Sequence, residues 1–375
     1  MKLLKLKVIS GYKMLTKNFE VNFLTKTRVE KDTPNDELLS LEENFYYPIE
    51  TVFIGKNSSG KSTTMELLEM VFDFFTSGRI SASNFDDFGI FEFKAILYAD
   101  NSLFKYEGSF KKNSAINREF LIIEKENLGK NELKASYKKD LSNAAFLKVK
   151  DFVPNVGGDT SNVSRALINK GFNFLVNSYS NAGLFNIYYN AFGPKTFDAL
   201  LHLFDDGVEY IRPHKNELKT LDGFSFKRVS SSKEVVVDAG YLERALSQGT
   251  IRGICLYGLS ILAFKNGGTI LVDEIEKSFN RNLIENLLLM FNDKTINKHD
   301  ASIIYTTHYS ELLDGNSRCD NVNVLHREDN EITLMNMSED YDCRTDMLKS
   351  TQFNQNVFDT LINYDRLMDL KESLR

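Results

Sequence analysis

The first fourteen residues, MKLLKLKVISGYKM, alternate Lys with aliphatic side chains at period two, the pattern of a half-buried strand. This pattern predicts two short strands, Leu4 to Ile9 and Phe19 to Phe23, followed by a polar loop over 28–48 that contains KDTPNDE and ENFYYP. The run TVFIG is short and apolar, as a buried parallel strand is. A helix follows at once: Leu67, Leu68, Val71, Phe72 and Phe75 fall at helical spacing, and TSG stops it. From 90 to 124 the period returns to two in FEFKAIL, LFKYEGSF and REFLIIE, which predicts an antiparallel meander.

Beyond the meander the pattern is mixed. FDALLHLFDDGVEYI reads as one amphipathic helix, and residues 129–233 as an inserted, mainly helical lobe. Regularity resumes with strand EVVVD, a helix from Thr250 to Phe264 ended by NGG, strand TILVD, helix NRNLIENLLLMF and strand SIIYTT. A hairpin, VNVLHREDNEITLMNM, comes next, and the apolar series Val357, Leu361, Tyr364 and Met368 predicts a closing amphipathic helix. Strands alternating with helices of this length predict an α/β fold with a parallel sheet.

Composition narrows the function classes. The 375 residues carry 46 Lys and Arg against 52 Asp and Glu, a net charge of -6, which argues against a general nucleic-acid coat while leaving room for a local basic patch. No window reaches the roughly 18 apolar residues of a membrane-spanning helix. Cys255, Cys319 and Cys343 lie far apart with no CxxC spacing, so neither a disulfide framework nor a zinc ribbon is expected. The expectation is a cytoplasmic protein without a membrane partner.

Four motifs carry chemistry. GKNSSGKS, residues Gly55, Lys56, Asn57, Ser58, Ser59, Gly60, Lys61 and Ser62, fits the phosphate-loop pattern G-x-x-x-x-G-K-[ST] between a buried strand and a helix. Its backbone N–H groups and the helix N-terminus suit phosphate. Lys61 is expected to reach the β and γ phosphates, and the Ser62 hydroxyl to ligate Mg²⁺. In TILVDEIE, an apolar strand ends in two acids: Asp273 is expected to hold Mg²⁺, and Glu274 to orient or deprotonate the attacking water. LSQGT places Ser247 and Gly249 at a helix start that an anion can approach closely. By itself it is an ordinary Ser N-cap; its place about 20 residues before the acidic strand decides otherwise. His308 follows a strand later than the Asp273 strand and is expected to hydrogen-bond the γ phosphate. Tyr12 is a candidate to stack on adenine.

In this order the four elements resemble the ABC-type ATPase heads of the SMC, RecF and OLD-like families, particularly their compact bacterial AAA-type members, over roughly residues 1–128 and 234–335. The resemblance implies a P-loop NTPase fold of ABC type that binds ATP and Mg²⁺ and hydrolyses ATP. It also implies a head-to-head dimer in which Gly55, Asn57, Gly60, Lys61, Ser62, Thr63, Asp273, Glu274 and His308 act in cis, and Ser247 and Gly249 in trans. Lys61 and Asp273 must then meet one Mg-ATP, so the chain reads as one ATPase domain, 1–128 with 234–375, interrupted by the lobe at 129–233. The family's Gln between phosphate loop and signature is missing: no Gln lies between Ser62 and Ser247. Another residue does that work, or turnover is slow. Neither a coiled-coil arm nor an OLD-type nuclease domain is expected.

Two functions from different classes follow. One is an ATPase switch of a bacterial anti-phage defence or toxin-linked module, controlling a separately encoded effector. The other is a DNA-repair or DNA-end-binding ATPase of RecF type, for which Lys111, Lys112, Lys130, Lys134, Lys138 and Lys139 would supply the basic surface. Interspersed Glu124, Glu126, Glu132 and Asp140 favour a solvated face over nucleic acid. A transporter ATPase is the weakest reading, since such subunits carry the Gln.

Overall fold

A computed structural model of the chain describes residues 1–29, 36–85, 89–112, 119–134, 137, 141, 144–167, 174–176, 180–216, 218, 220–277, 280–341, 347–360 and 364–374. Two compact units divide it: Met1–Phe172 with Ile304–Arg375, and Asn173–Ile303.

The first unit opens with strands β1 (Lys2–Ser10), β2 (Phe19–Asn22), β3 (Leu38–Glu42), β4 (Phe45–Pro48) and β5 (Glu50–Gly55), then helix α1 (Lys61–Ser77). Strands β6 (Ile90–Ala99), β7 (Ser102–Lys111), β8 (Ile122–Glu132) and β9 (Leu147–Lys148) follow, with the short helix α2 (Val163–Leu167). One sheet has the order β2-β1-β6-β7-β8-β9, antiparallel throughout. Period-two alternation along β6 and β7 puts Phe91, Phe93, Tyr106 and Phe110 on the inner face, where α1 packs with Phe74 and Phe75. Phe74 lies 5.7 Å from Phe93 and 5.4 Å from Phe110 between ring centroids, both edge-to-face, and 5.1 Å from the tilted ring of Tyr106. Gly78 ends α1 by donating its N–H to the Phe74 carbonyl.

The predicted polar loop over 28–48 contains the hairpin β3–β4. Its turn is made at Asn44, whose φ of 67° is a conformation Asn tolerates better than most residues.

The second unit carries β10 (Phe174–Val176), α3 (Phe185–Phe192), α4 (Pro194–Phe204), β11 (Val208–Lys215), β12 (Leu221–Arg228), β13 (Val235–Val237), α5 (Ala239–Ala245), α6 (Gln248–Asn266), β14 (Thr269–Val272) and α7 (Arg281–Asn292). Strands β10 and β14 pair in parallel, and β11, β12 and β13 form an antiparallel sheet. The segment that reads as one helix across 197–211 is the greater part of α4 followed by the start of β11. The Asp205 carboxylate accepts from the Gly207 N–H at 3.0 Å, an Asx turn that breaks the helix. Helices α3 and α4 pack on α6 where glycine leaves room: a Cβ at Gly258 would lie 2.8 Å from the Tyr188 ring.

Strand β15 (Ser302–Thr306) contains the boundary between the units. The first unit then closes with β16 (Val322–Glu328), β17 (Glu331–Asn336), α8 (Lys349–Asn354) and α9 (Tyr364–Ser373). Strand β16 pairs in parallel with β5 and antiparallel with β17. Leu361 lies outside the described residues, as does Cys343; Met368 on α9 is exposed.

Candidate functional site

The phosphate-loop motif sits between β5, buried along its whole length, and α1. Gly60 is the N-cap of α1 with φ 105° and ψ 12°, a conformation only glycine adopts without strain, and no side chain caps the helix. The N–H groups of its first turn are therefore not taken by a side-chain cap. A Cβ at Gly60 would lie 2.7 Å from both Cδ1 and Cγ2 of Ile332 on β17, so the loop is braced from behind by the hairpin.

The Lys61 side chain is buried and folds back over the loop. Its Nζ donates to the carbonyls of Gly55 at 2.8 Å and Lys56 at 2.9 Å. The Ser59 N–H donates to the Lys56 carbonyl at 3.1 Å, Ser58 takes a φ of 64°, and the Thr64 N–H returns to the Gly60 carbonyl at 2.9 Å. Asn57, Ser58 and Ser62 face outward, and Thr63 is half-buried. The Ser59 hydroxyl is buried without a hydrogen-bond partner among the described residues, a polar atom in the loop that a bound group can satisfy.

His308 follows β15 in the same unit. The N–H of neighbouring Thr307 donates to the Phe53 carbonyl at 3.3 Å, so β15 ends beside the strand that feeds the loop, and His308 is exposed there. Sequence reasoning missed two further features of the loop's surroundings. The Lys56 ammonium pairs with Asp359 at 3.0 Å, a contact that holds the Asp359 carboxyl below its usual range. Buried Phe358, on the same segment, meets Tyr341 edge-to-face at 5.2 Å. No local signal announces Ile332 or Asp359, because each reaches the loop from hundreds of residues away.

In the second unit, Asp273 and Glu274 follow β14 directly. Asp273 is exposed. Glu274 has a φ of 51°, a strained conformation for a non-glycine residue that costs about 1–3 kcal/mol, and its carboxylate lies 3.3 Å from Lys277. Ser247 is the N-cap of α6: its Oγ accepts from the Thr250 N–H at 2.9 Å, and it is exposed with Gln248 at the helix start, while Gly249 is half-buried.

Among the described residues no three His, Cys, Asp or Glu side chains converge as a metal cage. Mg²⁺ keeps several waters and takes few protein ligands, and a hydroxyl such as that of Ser62 and a carboxylate such as that of Asp273 are oxygen donors of the kind it accepts. Tyr12 is not placed to meet adenine: it is buried in the first unit's core, 5.6 Å from Phe85 and 5.8 Å from Phe91. Of the lysines considered for DNA, Lys111 pairs with Glu124, Lys112 donates to the Phe85 carbonyl at 3.1 Å, and Lys130 lies over the Phe104 ring. Lys138, Lys139 and Asp140 lie outside the described residues. No helix among the described residues is long and apolar enough to cross a membrane.

No protein-family model matches the chain, and no curated protein does. Among solved structures, the SMC head domain from Thermotoga maritima is similar to it at a TM-score of 0.42 and 14% identity, over 90% of this chain and 99% of that one. So distant a likeness carries no argument about what the chain does.

Proposed function

We propose that the chain is an ATP-binding and ATP-hydrolysing switch of ABC type that pairs head to head with a second copy and controls a separately encoded effector, in a bacterial defence or toxin-linked setting. The observation that carries it is the phosphate loop: a G-x-x-x-x-G-K-S motif on a strand-to-helix turn, with Gly60 at positive φ, an α1 N-terminus without a side-chain cap, and Lys61 folded over the loop carbonyls.

In this reading the loop N–H groups and Lys61 hold the triphosphate, and Thr63 and Asn57 line its approach. Ser62 and Asp273 hold Mg²⁺, which when bound neutralises charge on the β and γ phosphates. Glu274 orients the attacking water and takes its proton, and His308 hydrogen-bonds the γ phosphate. Ser247 and Gly249 offer the α6 N-terminus to the nucleotide of the second copy. The strained backbone at Glu274 supports its role, since strain of this kind clusters at functional positions.

The test is ATP hydrolysis by the purified chain with Mg²⁺, beside Lys61→Ala. The variant is expected to lose turnover by roughly a hundredfold or more, as removal of a group that stabilises transition-state charge does. Equal turnover in the two proteins would sink the assignment.

A further inference from the structure

On the outer face of the antiparallel sheet in the first unit, two cross-strand rows run side by side. One is Glu20, Lys7, Lys94, Glu107; the other is Asn22, Lys5, Ile96, Lys105. Lys7 and Lys94 are direct partners on adjacent strands, an arrangement that like charges make unfavourable unless something anionic answers it. The carboxylates present do so incompletely. Glu20 lies 2.8 Å from Lys5 and 3.9 Å from Lys7, and Glu107 lies 3.2 Å from Lys94 and 2.9 Å from Lys105. Among the described residues, these four ammonium groups thus share two carboxylates.

A pocket of about 190 Å³ opens over these rows. Its other wall is apolar: Ile96 from the sheet, with Leu141, Ala144 and Phe146 from the segment that crosses it. That wall is seated by a glycine. Next along the second row, opposite Lys105, is Gly129, where a Cβ would lie 2.7 Å from the Phe146 Cβ, so any larger residue would displace the Phe146 backbone. The Lys105 ammonium lies 5.8 Å from the Phe146 ring centroid, joining the two walls.

From this we propose that the pocket binds a small phosphomonoester carrying an aromatic or apolar body. A phosphomonoester carries about 1.5 to 2 negative charges at neutral pH, matching the excess of positive charge that four ammonium groups and two carboxylates leave. The volume lies below the roughly 300–1,000 Å³ of drug-sized sites, which fixes the ligand as a compact one. The site is independent of the phosphate loop and stands whether or not the chain hydrolyses ATP.

The experiment is calorimetric titration of the full chain with phenyl phosphate, with inorganic phosphate beside it. Saturable one-to-one binding is expected, roughly tenfold or more tighter for phenyl phosphate, with a further tenfold loss in the double variant Lys5→Gln, Lys105→Gln. Phe146→Ala should bring the two ligands to similar affinity, and Lys61→Ala, whatever it does to ATP turnover, should leave the affinity for phenyl phosphate as it is. Lys7→Gln relieves the like-charge pair and gives up only a distant ion pair. It is therefore expected to hold or raise the thermal midpoint while binding phenyl phosphate more weakly. Any of these outcomes overturns the proposal: no saturation at about 10 mM, unchanged affinity in the lysine variants, inorganic phosphate binding as tightly as phenyl phosphate, or loss of binding in Lys61→Ala. Tighter binding of a single-stranded oligonucleotide would assign the pocket to a nucleic-acid backbone and also overturn it.

Discussion

Asp320 shows what a buried charge needs in this fold. Its side chain is fully buried and accepts from the Lys26 N–H at 2.9 Å, the Thr27 N–H at 3.0 Å, the Thr27 hydroxyl at 2.8 Å and the Arg318 Nε at 2.8 Å. Burial pushes its carboxyl up, but the Arg318 charge and hydrogen bonds, with those from Thr27, prevail and hold it below the usual carboxylate range. The folded pKa therefore lies under the unfolded value of 3.8. Its stabilisation is complete above that value and is lost as the pH falls through the folded one. Asp320→Ala leaves Arg318 without its carboxylate in a nearly buried position and is expected to cost about 3–5 kcal/mol at pH 7, read from urea unfolding. The gap between parent and variant should narrow once the pH drops below about 3.8. A gap of constant size from neutral to acid would mean that the charge of Asp320 contributes nothing.

Helix α1 serves two ends of one element, and the two can be separated. Its N-terminus completes the phosphate loop, while Phe74, a turn from its C-terminus, is fully buried in the aromatic cluster of β6 and β7. Phe74→Ala is expected to cost about 3–5 kcal/mol in urea unfolding, with ATP affinity of the folded protein unchanged. A loss of affinity without a loss of stability would reverse that division of labour. The same helix was legible in the sequence because its signals are local: apolar residues at helical spacing, Gly60 before it and Gly78 after it. The elements missed have local signals of a weaker kind. The run FDALLHLFDDGVEYI reads through as helix, although Asp205 and Gly207 inside it make the turn that starts β11. The sequence pattern predicts no element between strand EVVVD and Thr250, yet Asp238 caps helix α5 there by accepting from the Tyr241 N–H at 2.6 Å. Nothing local marks Ile332 behind Gly60, Asp359 beside Lys56, or the opposed lysines of β1 and β6. Those depend on strand register and, for Asp359, on how a distant loop packs, neither of which one sequence displays.

Across the whole molecule, the proposed chemistry draws on both compact units. The phosphate loop and His308 belong to the first, and Ser247, Asp273 and Glu274 to the second. If these residues serve Mg-ATP as proposed, nucleotide binds only the native arrangement, and saturating it at about a hundred times Kd should stabilise the protein by about 2.7 kcal/mol. Hydrolysis removes that ligand and with it the stabilisation, so a variant that binds without hydrolysing is the one in which a nucleotide-held assembly persists. Glu274→Gln is that variant: it removes the proposed proton acceptor while keeping the size of the side chain. Light scattering with saturating Mg-ATP is expected to show it at twice the 42.9 kDa of one chain, falling to a single chain when nucleotide is withdrawn. Ser247→Arg, which crowds the exposed start of α6, should leave ATP binding intact and abolish the dimer. A Glu274→Gln protein that stays monomeric while fully loaded with ATP rules out the head-to-head switch, and a dimer insensitive to Ser247→Arg places the interface elsewhere than at the α6 N-terminus.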